Sequence, residues 1–222
     1  EQGVERLVQI SAIGADAESN SQYARSKGQG EAAVLSHMPD AVILRPSVIF
    51  GPGDSFFNRF AAMSRFGPVL PLVGADTKFQ PVYVDDVAHA AVLGATGETA
   101  PGIYELGGPD VDSFRELMAQ MLDVIRRRRF IANIPFGLAS GMGWGFELLQ
   151  TMTGGLFKAQ ITRDQVISLR SDNVVAEDAK GFAELGVTPT SLEAVLPDYL
   201  WRFRPTGQYD VIKESARNLR PE

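Results

Sequence analysis

The chain has 222 residues, with 21 lysines and arginines against 27 aspartates and glutamates, so its formal net charge at pH 7 is -6. This acidic balance argues against a nucleic-acid binder, and a hydrophobic share of 45% with a charged share of 22% is typical of a globular protein. The absence of cysteine excludes disulfide bonds and thiolate metal sites, and two isolated histidines cannot form a histidine-rich site, so we predict no metal.

The first half of the chain alternates between short β-rich runs and helical patterns, which is typical of an α/β fold. In chain order, the pattern predicts strand Leu7–Ile13, helix Gln22–Met38, strand Ala41–Phe50, helix Phe56–Phe66, strand Pro81–Val84, a helix ending at Ala95 and strand Ile103–Leu106. Because Ala41–Phe50 is almost wholly apolar, we expect this strand to be buried on both faces of the sheet.

Polar side chains indicate where later helices begin. Asp85 is the expected N-cap of the third helix, since a carboxylate suits the positive end of a helix dipole. Ser113-x-x-Glu116 and Thr190-x-x-Glu193 have the form of capping boxes, which predicts a fourth helix and a final helix.

A basic cluster, Arg126–Arg129, precedes a mostly apolar and glycine-rich stretch at Phe130–Leu149. Arginines beside aromatic residues suit the surface of an anionic membrane, whereas Pro135 and Glu147 disfavour a helix that spans it. Two interpretations stay open: peripheral membrane contact through residues 126–149, or a lid that buries its own aromatic residues.

Tyr23 and Lys27 stand four residues apart in a predicted helix, and therefore on one of its faces. A phenol beside an ammonium can exchange a proton with a carbonyl group, because the positive charge is expected to lower the pKa of Tyr23. Lys27 can also hydrogen-bond ribose hydroxyls, and Ser11, at the end of the preceding strand, can hold the same carbonyl oxygen. Taken by spacing alone, such a pair more often marks a solvated helix face.

Three motifs give the pair a context: Tyr23-x-x-x-Lys27, Arg45-Pro46-x-x-x-x-Gly51-Pro52-x-Asp54 and Val84-Asp85-Asp86-Val87-Ala88. In this order and spacing they resemble the extended and atypical short-chain dehydrogenase/reductases, often called NAD-dependent epimerase/dehydratases. The resemblance implies the C-terminal part of a Rossmann-type, doubly wound parallel sheet, followed by a small and mostly helical subdomain.

The same resemblance implies domains and a site. Residues 1–116 would form the second half of an NAD(P)-binding domain, with 52–80 on the substrate side, and 117–222 a substrate or interaction subdomain. The residues with implied catalytic roles are Tyr23, Lys27 and Ser11. The implied contacts to the nicotinamide half of the cofactor are Tyr23, Lys27 and the backbone of Pro46, Ser47 and Val48.

Phe56–Phe60, Arg65–Pro68 and Ile161–Val166 are more specifically similar to the nucleotide-binding accessory subunits of respiratory complex I and their bacterial relatives. This likeness implies bound NADP or NAD with a mainly structural role and subunits of a respiratory complex as partners. It also implies a peripheral location on the cytoplasmic face of a bacterial inner membrane, or in the cytoplasm. The alternatives are a soluble NAD(P)-dependent reductase or epimerase of a sugar nucleotide or other carbonyl substrate, and a cofactor-free interaction module.

The glycine-rich turn that holds the cofactor pyrophosphate in this family has no counterpart in the sequence. Gly28-x-Gly30 lies inside a predicted helix, and we interpret it as helix packing. We therefore expect a fragment that lacks roughly a hundred preceding residues and binds dinucleotide weakly or not at all. The remaining strands are expected to pair with another copy, as a homo-oligomer, or to pack in a rearranged way.

Overall fold

Short strands alternate with helices in the computed structural model, which describes residues 3–141, 162–205 and 207. The strands are β1 (Val8–Ile10), β2 (Val42–Pro46), β3 (Ile49–Phe50), β4 (Val69–Val73), β5 (Lys78–Phe79), β6 (Val82–Tyr83), β7 (Gly102–Leu106), β8 (Asp112–Ser113) and β9 (Phe130–Ile134). The helices are α1 (Gln22–His37), α2 (Phe57–Met63), α3 (Val84–Thr96), α4 (Phe114–Val124), α5 (from 136, described to 141), α6 (Arg163–Ser168), α7 (Phe182–Leu185) and α8 (Leu192–Leu200), which a 3-10 turn at Trp201–Phe203 follows.

The central sheet is parallel, with the strand order β1-β2-β7. Ala41 to Leu44 are at most 4% exposed, as expected for a strand covered on both faces. Helix α3 packs closely on β1 and β2 at Gly94, a position with no room for a side chain. A Cβ added there would lie only 2.9 Å from Cγ2 of Val8. In the described part of the chain β1 pairs with β2 alone, and it is shorter than the predicted strand. This arrangement is the expected α/β architecture.

The single strand predicted at Ala41–Phe50 is wrong, because the chain breaks it into β2 and β3. Pro46 has no backbone N–H to continue the ladder. The Ser47 hydroxyl and the Val48 N–H instead donate to Oδ1 of Asn173, at 2.6 and 3.1 Å. The chain thereby leaves β7 and pairs with β6.

Two predicted helix starts are also wrong. The N-cap of α3 is Tyr83, and Asp85 lies inside the first turn, where it accepts a hydrogen bond from the Tyr83 hydroxyl at 2.8 Å. The box predicted from Thr190 does not form, since the N–H and hydroxyl of Thr190 donate to the Asp86 carboxylate at 2.7 and 3.1 Å. Helix α8 consequently begins one residue later, with Ser191 as its N-cap.

Helix α4 begins with the capping box predicted at Ser113 and Glu116. Its buried face contacts α2 and α8, so it joins the two predicted domains. The boundary expected between residues 116 and 117 lies inside this helix. An aromatic cluster packs around it, with ring centroids 5.0 to 5.8 Å apart. Its members are Phe56, Phe57, Phe60, Phe79 and Phe114.

The stretch predicted as a membrane contact or a lid begins with a strand. Residues Phe130–Ile134 form β9, which pairs in parallel with β4 from Val69↔Phe130 to Val73↔Ile134. Neither strand is expected from the sequence, and helix α2 is shorter than the predicted Phe56–Phe66. Residues 142–149 lie outside the described ranges. Within those ranges, no helix has the length and apolar character needed to cross a membrane.

Candidate functional site

A cavity of about 410 Å³ opens at the carboxyl ends of β1 and β2, the edge at which open parallel sheets bind their ligands. It is lined by every residue that the sequence predicts as catalytic or cofactor-binding: Ser11, Tyr23, Lys27, Pro46, Ser47 and Val48. We call this cavity the nicotinamide pocket, after the ligand group expected there. Its volume lies in the range of small-molecule sites.

Tyr23 and Lys27 share one face of α1, with Nζ of Lys27 lying 5.8 Å from the centroid of the Tyr23 ring. Nζ also donates to the carbonyl of Ile10 at 3.3 Å, and Tyr23 remains 53% exposed. Partial burial raises the pKa of Tyr23 above its ordinary value, so the expected lowering of that pKa is wrong. The ammonium lies by the ring, and desolvation of the phenol determines the direction of the shift. Tyr23 is therefore a neutral phenol at pH 7, ready to donate its proton in a hydrogen bond.

A carboxylate from the distant segment at α6 holds the start of α1. Oδ1 of Asp164 accepts from the N–H of Gln22 at 2.6 Å, while Oδ2 accepts from the N–H of Tyr23 at 3.1 Å and from the Ser21 hydroxyl at 3.2 Å. The negative charge lies at the positive end of the helix dipole. Asp164 therefore positions the turn that carries Tyr23, a role that no local sequence signal reveals.

Ser11 borders the pocket, but its hydroxyl donates to the buried carboxylate of Glu31. The same carboxylate accepts two bonds from Arg45, at 2.9 Å from Nε and 2.6 Å from Nη2. The proton of Ser11 is thus engaged by Glu31 and is not free for a carbonyl oxygen in the pocket. The one sequence signal for this network is Arg45, a charge within an apolar strand that requires a counterion.

The backbone at 46–48 forms the floor of the pocket. The Ser47 N–H donates to the Leu106 carbonyl at 2.9 Å, the Pro46 carbonyl accepts from the Ile13 N–H at 3.1 Å, and the Val48 N–H is held by Asn173. These groups offer a ligand a fixed surface, and their N–H donors are already engaged within the chain. Asn173 also lines the pocket, and nothing in the sequence pattern indicates it.

The loop between β1 and α1 folds over the helix because Gly28 has no side chain. A Cβ at Gly28 would overlap the backbone of Asp16 and Ala17, whereas one at Gly30 would meet only the end of the Gln9 side chain, at 3.1 Å. The interpretation as a packing residue is confirmed for Gly28, whereas the space beside Gly30 does not require a glycine.

A second cavity, of about 420 Å³, adjoins the nicotinamide pocket and shares Ile49 with it. Asp54 lies in its wall and accepts from the Tyr199 hydroxyl at 2.6 Å and from the Gly51 N–H at 3.3 Å. Burial and this carboxylate raise the pKa of Tyr199. Helix α8 is thereby joined to the segment expected on the substrate side.

The nicotinamide pocket fits one half of a dinucleotide. Apolar side chains of Ile10, Ile13 and Val48 suit a planar aromatic ring, while the Lys27 ammonium and the Tyr23 phenol are donors suited to ribose hydroxyls.

Comparisons with known proteins identify relatives of this chain. Residues 15–132 match the RmlD substrate binding domain. The chain is 36% identical over 210 residues to a protein from Arabidopsis thaliana, and 35% identical over 207 residues to one from Mus musculus, both called NADH dehydrogenase (ubiquinone) 1 alpha subcomplex subunit 9, mitochondrial. Each match covers 92% of this chain but 52% and 53% of the relatives, so the chain spans about half of their length.

Among solved structures, a dTDP-glucose 4,6-dehydratase from Bacillus anthracis in complex with NAD superimposes with a TM-score of 0.61. It is 16% identical, and the match covers 92% of this chain and 63% of the dehydratase, so the likeness shows the fold alone. The Rossmann-type α/β fold and the resemblance to epimerase/dehydratases and NADH dehydrogenase subunits are confirmed.

Proposed function

We propose a function for this chain, which belongs to the RmlD substrate binding domain family. It forms the nicotinamide-facing part of an NAD(P)-binding accessory subunit of an NADH:quinone oxidoreductase. The observation that carries the proposal is the single pocket shared by Tyr23, Lys27 and the backbone at 46–48. The relatives from Arabidopsis thaliana and Mus musculus, by name NADH dehydrogenase subunits, support the partner.

Three of the pocket residues have distinct roles in this proposal. Lys27 holds ribose hydroxyls through Nζ, the neutral phenol of Tyr23 donates a hydrogen bond, and Val48 packs against the nicotinamide ring. Bound NADP or NAD supplies hydride chemistry in related folds, and here we assign it a mainly structural role. Since the sequence lacks the glycine-rich phosphate turn, this chain alone binds the dinucleotide weakly or not at all.

The domain assignment stays a proposal in the same terms. Residues 1–116 contribute most of the pocket, and 117–222 form the substrate or interaction subdomain, from which Asn173 also reaches the pocket. The cavity beside Asp54 supports a substrate side at 52–80. The partners are other subunits of the respiratory complex, with the protein peripheral on the cytoplasmic face of a bacterial inner membrane.

Peripheral membrane contact within 126–149 is supported by an exposed patch that also includes the turn before β4. Phe66 is 90% exposed and Phe130 is 71% exposed. Burial and the neighbouring charges of Arg129 and Arg65 lower the pKa of Arg127. Nε of Arg129 donates to the Ser64 carbonyl at 2.7 Å, which joins the two segments. We expect the protein to float with liposomes that contain anionic lipid and not with neutral ones, and a Phe66→Ser, Phe130→Ser double variant to lose flotation. Absence of flotation with anionic liposomes would remove the membrane contact.

Purification of a tagged full-length protein from native membranes tests the proposed partner. We expect subunits of NADH:quinone oxidoreductase to co-purify, whereas a soluble reductase or epimerase would be recovered alone. Tyr23→Phe then separates a scaffold from a catalyst. If the cofactor is structural, the NADH:quinone reductase activity of the complex is unchanged by the variant, while loss of turnover with cofactor retained indicates an enzyme.

A further inference from the structure

We infer that Asn173 is a ligand-binding residue of the nicotinamide pocket, and that its side-chain NH2 donates to an uncharged carbonyl or carboxamide oxygen of the bound ligand. This inference rests on the proposed function and adds a residue to it from the distant C-terminal segment.

The orientation of the Asn173 amide follows from its partners. The Val48 N–H lies 3.1 Å from one terminal atom of the side chain and is a donor only, so that atom is the oxygen. The Ser47 hydroxyl donates to the same oxygen at 2.6 Å. The carbonyl of the amide is therefore fully used in holding the break between β2 and β3, and the NH2 group points away from it.

The NH2 group is the half of the side chain that has no structural task. In the described part of the chain, Nδ2 of Asn173 donates no hydrogen bond, and the one buried side-chain polar atom without a partner is Oε1 of Gln9. Nδ2 therefore reaches solvent, and the cavity that Asn173 borders is the one lined by Tyr23 and Lys27. Structural support for Ser47 and Val48 would need only an acceptor at this position.

Asn173 is held rigidly, which favours a role in binding. Its backbone N–H donates to the Lys78 carbonyl at 2.8 Å, and its carbonyl accepts from the Gln80 N–H at 3.1 Å. Two residues later, the Val175 N–H donates to Oε1 of Gln80 at 3.0 Å. A donor fixed in advance by its surroundings loses little conformational entropy when a ligand arrives.

The chemistry of the pocket indicates the ligand class. Tyr23, Lys27 and Asn173 line the cavity and all carry hydrogen-bond donors, and none of the described residues that line it is acidic. The matching ligand therefore presents oxygen acceptors. Lys27 carries the positive charge suited to hydroxyl-rich or anionic groups, whereas the neutral amide of Asn173 suits an uncharged carbonyl oxygen.

Titration of the isotope-labelled chain with nicotinamide mononucleotide, followed by NMR, tests the inference. This probe carries the nicotinamide and its ribose without the adenine half, and can be added to about 10 mM to detect weak binding. The side-chain amide signal of Asn173 is assigned by its loss in Asn173→Asp, a variant that keeps an acceptor for Ser47 and Val48 and removes the NH2 donor. Asn133→Asp is the matched control, because Oδ1 of Asn133 likewise accepts a backbone N–H, from Ala75 at 3.4 Å.

We expect the Asn173 amide signal to shift with the signals of Tyr23 and Lys27, and Asn173→Asp to weaken binding about fivefold or more, while Asn133→Asp stays within about twofold. Shifts at Tyr23 and Lys27 with an unmoved Asn173 amide would overturn this inference and leave the proposed function standing. No shift of any pocket signal at this concentration would also overturn this inference, and co-purification with the respiratory complex then decides the proposed function. If Asn173→Asp fails to fold, the side-chain amide signal is assigned through bonds from the backbone signals of Asn173, and its behaviour in the unaltered chain decides.

Discussion

Tyr23, Lys27 and Glu31 follow one another at one-turn spacing along helix α1, and the two ends of this row differ in how tightly they are held. At the end that borders the pocket, the Lys27 ammonium makes one hydrogen bond within the described residues, of 3.3 Å, and Tyr23 is half exposed. At the other end, Glu31 is buried and accepts hydrogen bonds from Ser11 and twice from Arg45. The fold therefore depends on the buried end of the row, and the pocket end remains available to a ligand.

Removal of the Glu31 carboxylate should give the largest loss of stability. Glu31→Ala leaves the half-buried Arg45 with Glu105 as its remaining carboxylate, at 3.5 Å, and we expect the free energy of unfolding to fall by about 3 kcal/mol. Lys27→Ala, one turn earlier at the pocket end, should change it by less than about 0.5 kcal/mol. Urea denaturation of the two variants measures the difference, and equal losses would contradict the comparison of the two ends.

A methyl group added at Gly28 of α1 should lower the stability of the protein, because the loop at residues 16–17 packs against this position. Ala is a better helix former than Gly by about 1 kcal/mol, but at Gly28 the new Cβ would overlap the backbone of Asp16 and Ala17. Since backbone cannot move aside as a side chain can, we expect Gly28→Ala to destabilise the protein by about 2 kcal/mol.

Gly30→Ala is the control in the same helix, since it meets only the end of a flexible Gln9 side chain. It should be neutral or slightly stabilising in the same thermal or urea unfolding experiment. A stable Gly28→Ala variant would show that the loop at residues 16–17 does not pack as described.

Alkaline pH should lower the free energy of unfolding by less than the substitutions above. The loss should come more from Tyr199 than from Tyr23. Burial raises the pKa of both phenols above 10.0, so above pH 10 the unfolded chain loses these protons before the folded one does. The stability contributed by the protonated phenols is complete below pH 10 and declines as the pH rises beyond it, by at most about 1.4 kcal/mol per pH unit for Tyr199 and by less for Tyr23, which is half exposed and screened by solvent.

Tyr199 is 6% exposed and bonded to Asp54, so Tyr199→Phe should flatten this decline more than Tyr23→Phe does. Urea denaturation at two alkaline pH values compares the variants. A larger flattening by Tyr23→Phe would reverse the assignment of which phenol is the more tightly enclosed.

Local parts of the pocket could be predicted from the sequence, whereas the contacts that close it could not. Tyr23, Lys27 and the apolar run that ends at Pro46 lie in short motifs and periodic patterns, which neighbouring residues specify. Asp164 reaches Ser21 across 143 positions, and Asn173 reaches Val48 across 125. No local pattern specifies contacts over such separations.

The pairing of β4 with β9 was missed for a related reason. The apolar character of Phe130–Ile134 does not by itself indicate a strand, and the partner that makes it one lies 61 positions earlier, as the register Val69↔Phe130 shows. Two prolines, Pro68 and Pro71, also make the partner segment a poor strand by local propensity.

The role of the nicotinamide pocket is tested most directly by a structure of the NADH:quinone oxidoreductase that contains the full-length protein, purified with its dinucleotide. We expect nicotinamide ribose oxygens within hydrogen-bonding distance of the Tyr23 hydroxyl and Lys27 Nζ, with the ring against Val48. A dinucleotide bound elsewhere in the subunit, or a pocket filled by a neighbouring protein chain, would contradict it.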